Sequence, residues 1–335
     1  MTSENSSTLS GRRGVSDRWP WLRTARTWLA TAQSSRNDPD PGTGVHWSRF
    51  VPFVFLHAGI LGVIAVGWSP VAAGVAAVLV AARIFFLTAF YHRYFSHRAY
   101  KTSRVAQFIF AVLGNTAIQK GPLWWAAHHR QHHRTADQEG DLHSPHRTNL
   151  YWSHIGWLTR REHFTTRMEM VPDLAVFPEL RWLDRYDGLV VLLYGAALFG
   201  LGATLNAVAP GLGTSGFQML IWGFFVSTVA LFHVTNMVNS VAHTFGKRHF
   251  PSPDQSRNSM IIALLTFGEG WHNNHHYYPA AARQGFLWWE VDLTYYLLRL
   301  MAAVGLIWDL NEVPAHIMAR RDTLTPAEEA VGRAV

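Results

Sequence analysis

The 335-residue sequence contains no cysteine. That absence removes disulfides, cysteine-ligated zinc, iron–sulfur clusters and thiol nucleophiles together. Charge is also scarce: Asp, Glu, Lys and Arg make up 15% of the chain, against roughly 25% in an ordinary soluble domain. The deficit is local, because residues 50–82 and 188–246 carry no charged side chain at all. Such stretches exclude a disordered chain and argue against an ordinary soluble globule. Histidine, in contrast, is abundant, with 19 residues beside 22 acidic ones.

A bilayer crossing takes about 20 apolar residues, so the first charge-free stretch is too long for one helix and the second is long enough for two. The first divides at Ser69-Pro70 and the second at Ala209-Pro210-Gly211. The reading is an all-α polytopic membrane protein with four spans, about 50–68, 71–90, 188–208 and 215–237, paired as two helical hairpins. All 29 Lys and Arg lie outside the hairpin tips, and Arg83 alone falls within a span, close enough to its end to snorkel. The positive-inside rule then puts the termini and the 91–187 and 238–335 segments in the cytoplasm. The formal charge of +7 gathers on that face and suits lipid headgroups, phosphorylated substrates or an acidic protein. No nucleic-acid module is visible, so a nucleic-acid partner is not expected. Arg outnumbers Lys 26 to 3, which points to a GC-rich genome and a bacterial plasma membrane. Residues 1–45 read as a disordered or interfacial segment, with Trp21, Ala25, Trp28 and Ala32 at helical spacing. Residues 46–321 form the membrane domain and 322–335 a solvated tail. Gly211-Leu-Gly213-Thr-Ser-Gly216 matches a dinucleotide fingerprint, but it lacks the strand–helix setting that fingerprint needs and reads as a turn.

Four His clusters follow the spans: His92-Arg-Tyr-Phe-Ser-His97, His129-Arg-Gln-His132-His133, Asn239-Ser-Val-Ala-His243 and His272-Asn-Asn-His275-His276. Crossing parity brings all four to one membrane face. On a helix, positions i, i+3 and i+4 share a side, so in each HxxHH the first His neighbours both later ones, and Asn239 and His243 are likewise i, i+4. Nine imidazoles exceed the coordination of one ion and suffice for two, with four or five nitrogens each. Imidazole suits zinc, copper, iron and nickel, so residue type alone does not select the metal. His46, His57, His146, His163, His249 and His316 read as surface or packing residues, His128 falls outside the paired pattern, and His233 lies within the fourth span. A metal transporter would place its ligands inside the spans, whereas these clusters sit at and beyond the span ends.

Taken together, HRYFSH, HRQHH, NSVAH and GEGWHNNHH resemble the membrane fatty-acyl desaturases of the stearoyl-CoA (Δ9) type. Gly121-Pro-Leu-Trp-Trp125, Asp141-Leu-His-Ser-Pro145 and Trp152-Ser-His-Ile-Gly-Trp157 agree, and the likeness runs from about residue 50 to 300. The resemblance implies four spans and a cytosolic helical cap that holds two iron ions. Its ligands would be His92, His97, His129, His132, His133, His243, His272, His275 and His276, with Asn239 holding a metal-bound water. It also implies Trp125 beside the acyl chain; Asp141 and Glu269 are candidate acceptors for ligand N–H groups. The reaction implied is oxygen-dependent formation of a cis double bond in a saturated acyl chain, with O2 as co-substrate. Iron would pass between Fe2+ and Fe3+, with electrons from a separate ferredoxin or cytochrome b5-type donor and its reductase. The partners implied are a long-chain acyl thioester, chiefly acyl-CoA, or an acyl lipid, together with the bilayer. A related di-iron hydroxylase is the alternative. The animal enzymes carry an Arg-Asp that contacts coenzyme A where this chain has Ala127 and His128, and a Trp where it has Asn236.

Overall fold

The computed structural model of the chain describes residues 30–31, 44–45 and 47–325. The proposed interfacial segment at 21–32 falls almost entirely outside them. The described chain is mostly helical, with one two-stranded antiparallel sheet, β1 (Lys101–Thr102) and β2 (Ile307–Trp308).

The first charge-free stretch begins as α1 (Trp47–Ala58), passes through a 3-10 turn at Gly59–Leu61 and ends with one more turn at Gly62–Val66. The tightening has a packing cause. A Cβ at Gly59 would run into the Phe225 ring and one at Gly62 into Ile221, so only glycine lets this segment approach the last hydrophobic helix closely. Ser69 then caps α2 by accepting from Ala72 N, and Pro70 occupies its first turn, where a missing N–H costs nothing. α2 (Pro70–Phe85) continues without a break as a π-helix, Phe86–Ser96. The second stretch forms α3 (Asp187–Val208), a Pro210–Leu212 turn with Gly213 left-handed at φ 59°, and α4 (Gly216–Ser240), which has a π segment at Ile221–Val226. The glycine fingerprint is therefore an interhelical turn, in line with its sequence setting.

Among the described residues, three helices are long and apolar enough to cross a membrane: Pro70–Ser96, Asp187–Val208 and Gly216–Ser240. Four were expected; the remaining apolar run, Phe50–Val66, is shorter than that length. The two turns lie together at one end, where Gln218 Nε2 donates to Val66 O at 3.0 Å and Trp222 Nε1 to Gly67 O at 3.1 Å. The histidine clusters lie at the other. Arg83 does not snorkel. It is 1% exposed and its guanidinium is spent on neutral oxygens between helices, although an arginine at the centre of a span costs on the order of 3 kcal/mol on insertion scales.

Short helices cover the far end. Four of them place the site: Arg104–Asn115, Pro122–Thr135, Met260–Leu265 and His272–Tyr277. The main core is built where the π segment meets the first two of these, around Phe90, Phe95, Phe110 and Leu123. The Phe90 and Phe110 rings stack at 4.0 Å.

Candidate metal centre

The first His pair depends on the π-helix. An α-helix would leave residues five apart on different sides, whereas a π-helix bonds i to i+5. His97 N donates to His92 O in that register, and the two rings lie 4.9 Å apart. The second box is the end of the Pro122–Thr135 helix, whose N-terminus is anchored where Asp184 Oδ1 accepts from Trp124 N at 2.7 Å. The fourth box is the short helix His272–Tyr277. Its Asn273 Oδ1 accepts from His249 N and Phe250 N, and its Asn274 donates to Glu290 and Gln284 O, so the two Asn between the histidines anchor the helix. His243 lies in a turn beyond the end of α4, and not four residues along a helix from Asn239 as its spacing suggested.

The nine imidazoles gather in two sets. His92, His97, His129, His133 and His275 form one; His132, His243, His272 and His276 form the other. Each HxxHH box is split. The i, i+4 pair His129 and His133 joins the five-membered set and His132 the other, while His272 and His276 join the four-membered set and His275 the first. Spacing alone left this division open.

Within the sets Nε2 atoms face one another: His97 and His129 at 2.8 Å, His92 and His275 at 2.9 Å, His133 and His275 at 3.0 Å, His243 and His272 at 3.0 Å. Adjacent nitrogens at right angles around an ion, with metal–nitrogen distances near 2.1 Å, would be about 3.0 Å apart. The outer nitrogens point the same way. Nδ1 meets a carboxylate at His132–Asp141 (3.0 Å), His243–Asp137 (2.7 Å), His276–Asp254 (2.8 Å) and His92–Glu269. A neutral imidazole that donates Nδ1–H to a carboxylate turns the Nε2 lone pair inward. The Nε2 atoms of His132 and His276 are buried with no hydrogen-bond partner. Inward lone pairs, orphaned nitrogens and metal-ligand spacing fit two cations.

Electrostatics follow from burial. It pushes His97, His129, His133, His272 and His275 well below the ordinary imidazole value, with like-charged neighbours adding to it, so all five are neutral at pH 7. Burial also lowers His276, against the pull of Asp254, to about 4. For His243 burial is outweighed by Asp137, which raises it. Burial would raise Asp137, Asp141 and Asp254, but their imidazole partners hold all three well below the usual carboxylate range.

The other residues singled out from the sequence find places around these sets. Glu269 touches His92 and is held by Arg93 Nη2 at 3.1 Å and by Gln284 Nε2 at 3.0 Å. The Trp125 ring stacks on His129 at 5.0 Å, and its Nε1 donates to Gln119 Oε1. Asn239 lines the cavity onto which His132 and His272 open, and its amide donates to Asn236 Oδ1 at 3.5 Å. His128 is buried against Trp124 with Nδ1 on Trp124 O, and His233 contacts His154 at 3.0 Å; neither joins a set. Asp137 and Asp254 were not foreseen. Asp137, four residues after the second box, had a local signal; Asp254, in Ser-Pro-Asp, had none. His143 was missed as well. It packs on His132 at 4.4 Å, and burial lowers it to about 3.

A cavity adjoins both sets. His92, His129, His132 and His272 open onto it, and Phe50, Phe53, Leu56, Leu87 and Phe232 give it apolar walls.

The model of the fatty acid desaturase family matches residues 66–310. The chain is 36% identical over 241 residues to an acyl-CoA 5-desaturase of Anemone leveillei, covering 71% of this chain and 70% of that one. It is 38% identical over 221 residues to an sn-2 palmitoyl-lipid 9-desaturase of a Nostoc species, covering 64% and 73%. It is 37% identical over 235 residues to an sn-1 stearoyl-lipid 9-desaturase of a Synechocystis species, covering 70% of each.

Proposed function

The chain belongs to the fatty acid desaturase family, and from that premise we propose that it is an oxygen-dependent desaturase placing a cis double bond at Δ9 of a saturated long-chain acyl group, with acyl-CoA as carrier. The observation that carries this reading is the apolar cavity adjoining both histidine sets. A hydrocarbon chain needs an apolar, water-free sleeve, and only a bound oxidant attacks an unactivated CH2–CH2.

In this reading the nine histidines would hold two iron ions, one in each set, and Asn239 would hold a metal-bound water. When bound, the irons supply with O2 the oxidising power, and two electrons come from a separate ferredoxin or cytochrome b5-type carrier with its reductase. The protein's own work is placement. Phe50, Phe53, Leu87 and Phe232 enclose the chain, and Trp125, stacked on His129, borders it at the metal end. Asp137, Asp141, Asp254 and Glu269 keep Nδ1 protonated on four ligands and offset positive charge in a buried site.

The chain is read as crossing the membrane four times, Phe50–Val66 included, with the histidines on the cytoplasmic side of a bacterial plasma membrane. The absence of Lys and Arg from both hairpin turns supports this orientation. The exposed apolar face of Met260–Leu265, with Met260 and Ile261 outermost, gives the cytosolic cap a surface that suits the bilayer.

The carrier is tested by reconstituting the protein in lipid nanodiscs with a ferredoxin and its reductase. Labelled stearoyl-CoA should give labelled monounsaturated product. Turnover only of label already esterified in the nanodisc lipid would replace acyl-CoA with an acyl lipid.

A further inference from the structure

Two helices meet at the deep end of the cavity, beside Leu56 of α1 and Ala117. On α4 the lining residues run down one face from Asn239 through Asn236 and Phe232 to Thr228, and no residue of that helix before Thr228 lines it. On α2 and its π extension the deepest lining residue is Leu87. Arg83 lies one turn below. Its Nη1 donates to Thr228 Oγ1 at 2.8 Å and to Thr116 O at 3.3 Å, its Nη2 to Ser227 Oγ at 2.6 Å and its Nε to Leu79 O at 3.2 Å. The Tyr194 ring covers the guanidinium from a third helix, 5.2 Å away. Every one of these acceptors is uncharged, and among the described residues no carboxylate pairs with Arg83.

An ionised side chain at membrane depth without a counter-ion is costly and marks a functional position by default. A leucine would fill the same space without that cost. What the guanidinium adds is a planar fork that ties α2, the turn after Asn115 and α4 into one rigid floor.

Resting on the desaturase reading, we propose that Thr228, backed by Arg83, is the stop for the methyl end of the acyl chain and fixes how many carbons extend beyond the new double bond. Thr228 is the wall that the chain meets and Arg83 is the positioning residue behind it. One helical turn is about 5.4 Å, and a carbon–carbon bond of about 1.5 Å advances an extended chain by about 1.25 Å. Clearing the Arg83 side chain therefore deepens the cavity by at most about four carbons.

The test uses the full-length protein, Arg83→Ala and Thr228→Leu, with two readouts. In a desaturase-deficient host fed a graded series of even-numbered saturated acids, Arg83→Ala should move the best-converted chain about two to four carbons longer and Thr228→Leu about two shorter. In both variants the double bond should keep its number from the carboxyl end. In detergent, the chain length that gives the largest rise in Tm should move the same way, since a ligand that fits stabilises the fold it binds. A merely structural role for Arg83 would lower Tm without moving either optimum. Unchanged optima in Thr228→Leu overturn the proposal even if Arg83→Ala fails to accumulate. Loss of product from the unmodified protein would count against the desaturase reading, while the Tm series still decides the length stop.

Discussion

His243 Nδ1 lies 2.7 Å from Asp137 Oδ2, across 106 residues of sequence, and the same carboxylate oxygen accepts from Gln255 N at 2.8 Å. One buried acid thus orients the His243 imidazole beyond the end of α4 and pins the loop that carries Asp254, which orients His276 in turn. Asp137→Asn should disturb both. An amide can present N–H to Nδ1, which moves the imidazole proton to Nε2 and turns a lone pair away from the ion. The affinity of the four-His set for iron, and turnover, should fall about 10- to 100-fold, with the metal load moving from two ions toward one and helicity unchanged. Elemental analysis beside circular dichroism checks it.

The split of the HxxHH boxes gives a second expectation. His129→Ala removes a member of the five-His set and His132→Ala a member of the four-His set, although the two are three residues apart. Each should drop the metal load from two ions toward one and abolish turnover while membrane insertion survives. The double variant should lose both ions. Full metal load in both single variants would refute the assignment.

This division marks where the sequence stopped being informative. The boxes, the spans of α2, α3 and α4, and the roles of Asp141 and Glu269 as contacts of His132 and His92 were legible, because each rests on composition or on spacing within a few residues. Sharing between the sets was not, since it depends on how the Pro122–Thr135 and His272–Tyr277 helices face each other. The i+5 pairing of His92 and His97 needs a π-helix, which no residue in Phe86–Ser96 announces. Asp254 and Arg83 were misjudged or missed because their partners come from segments far along the chain.

Acid should destabilise the metal-free protein. Burial lowers six imidazoles of the two sets, and the fold favours their neutral forms. Their contribution is therefore present above the unfolded value of 6.5 and lost as pH falls, for His276 toward about 4. His243, which is raised, opposes this as one group against six. The depressed carboxylates Asp137 and Asp141 add a further loss below their unfolded value of 3.8. Tm of the chelator-treated protein should fall steadily from pH 7 to pH 4; a flat or rising profile would contradict the neutral-imidazole account.

Topology can be read by labelling, because the chain has no native cysteine. Thr214 is buried and makes a poor site, whereas Leu212 in the same turn is 43% exposed. A Leu212→Cys variant should react with a membrane-impermeant maleimide only from outside the cell, and Arg147→Cys only after permeabilisation. Reaction of both from one side would overturn the crossing count.

The central claim, that this site removes hydrogen from adjacent methylenes, is tested most directly by mass spectrometry of total fatty acids in a desaturase-deficient host that expresses the protein. New cis monounsaturated chains with the double bond at Δ9 are expected, and none in the His132→Ala and His275→Ala variants. Hydroxylated acids in their place, or no new product from a correctly inserted, iron-loaded protein, would contradict the claim.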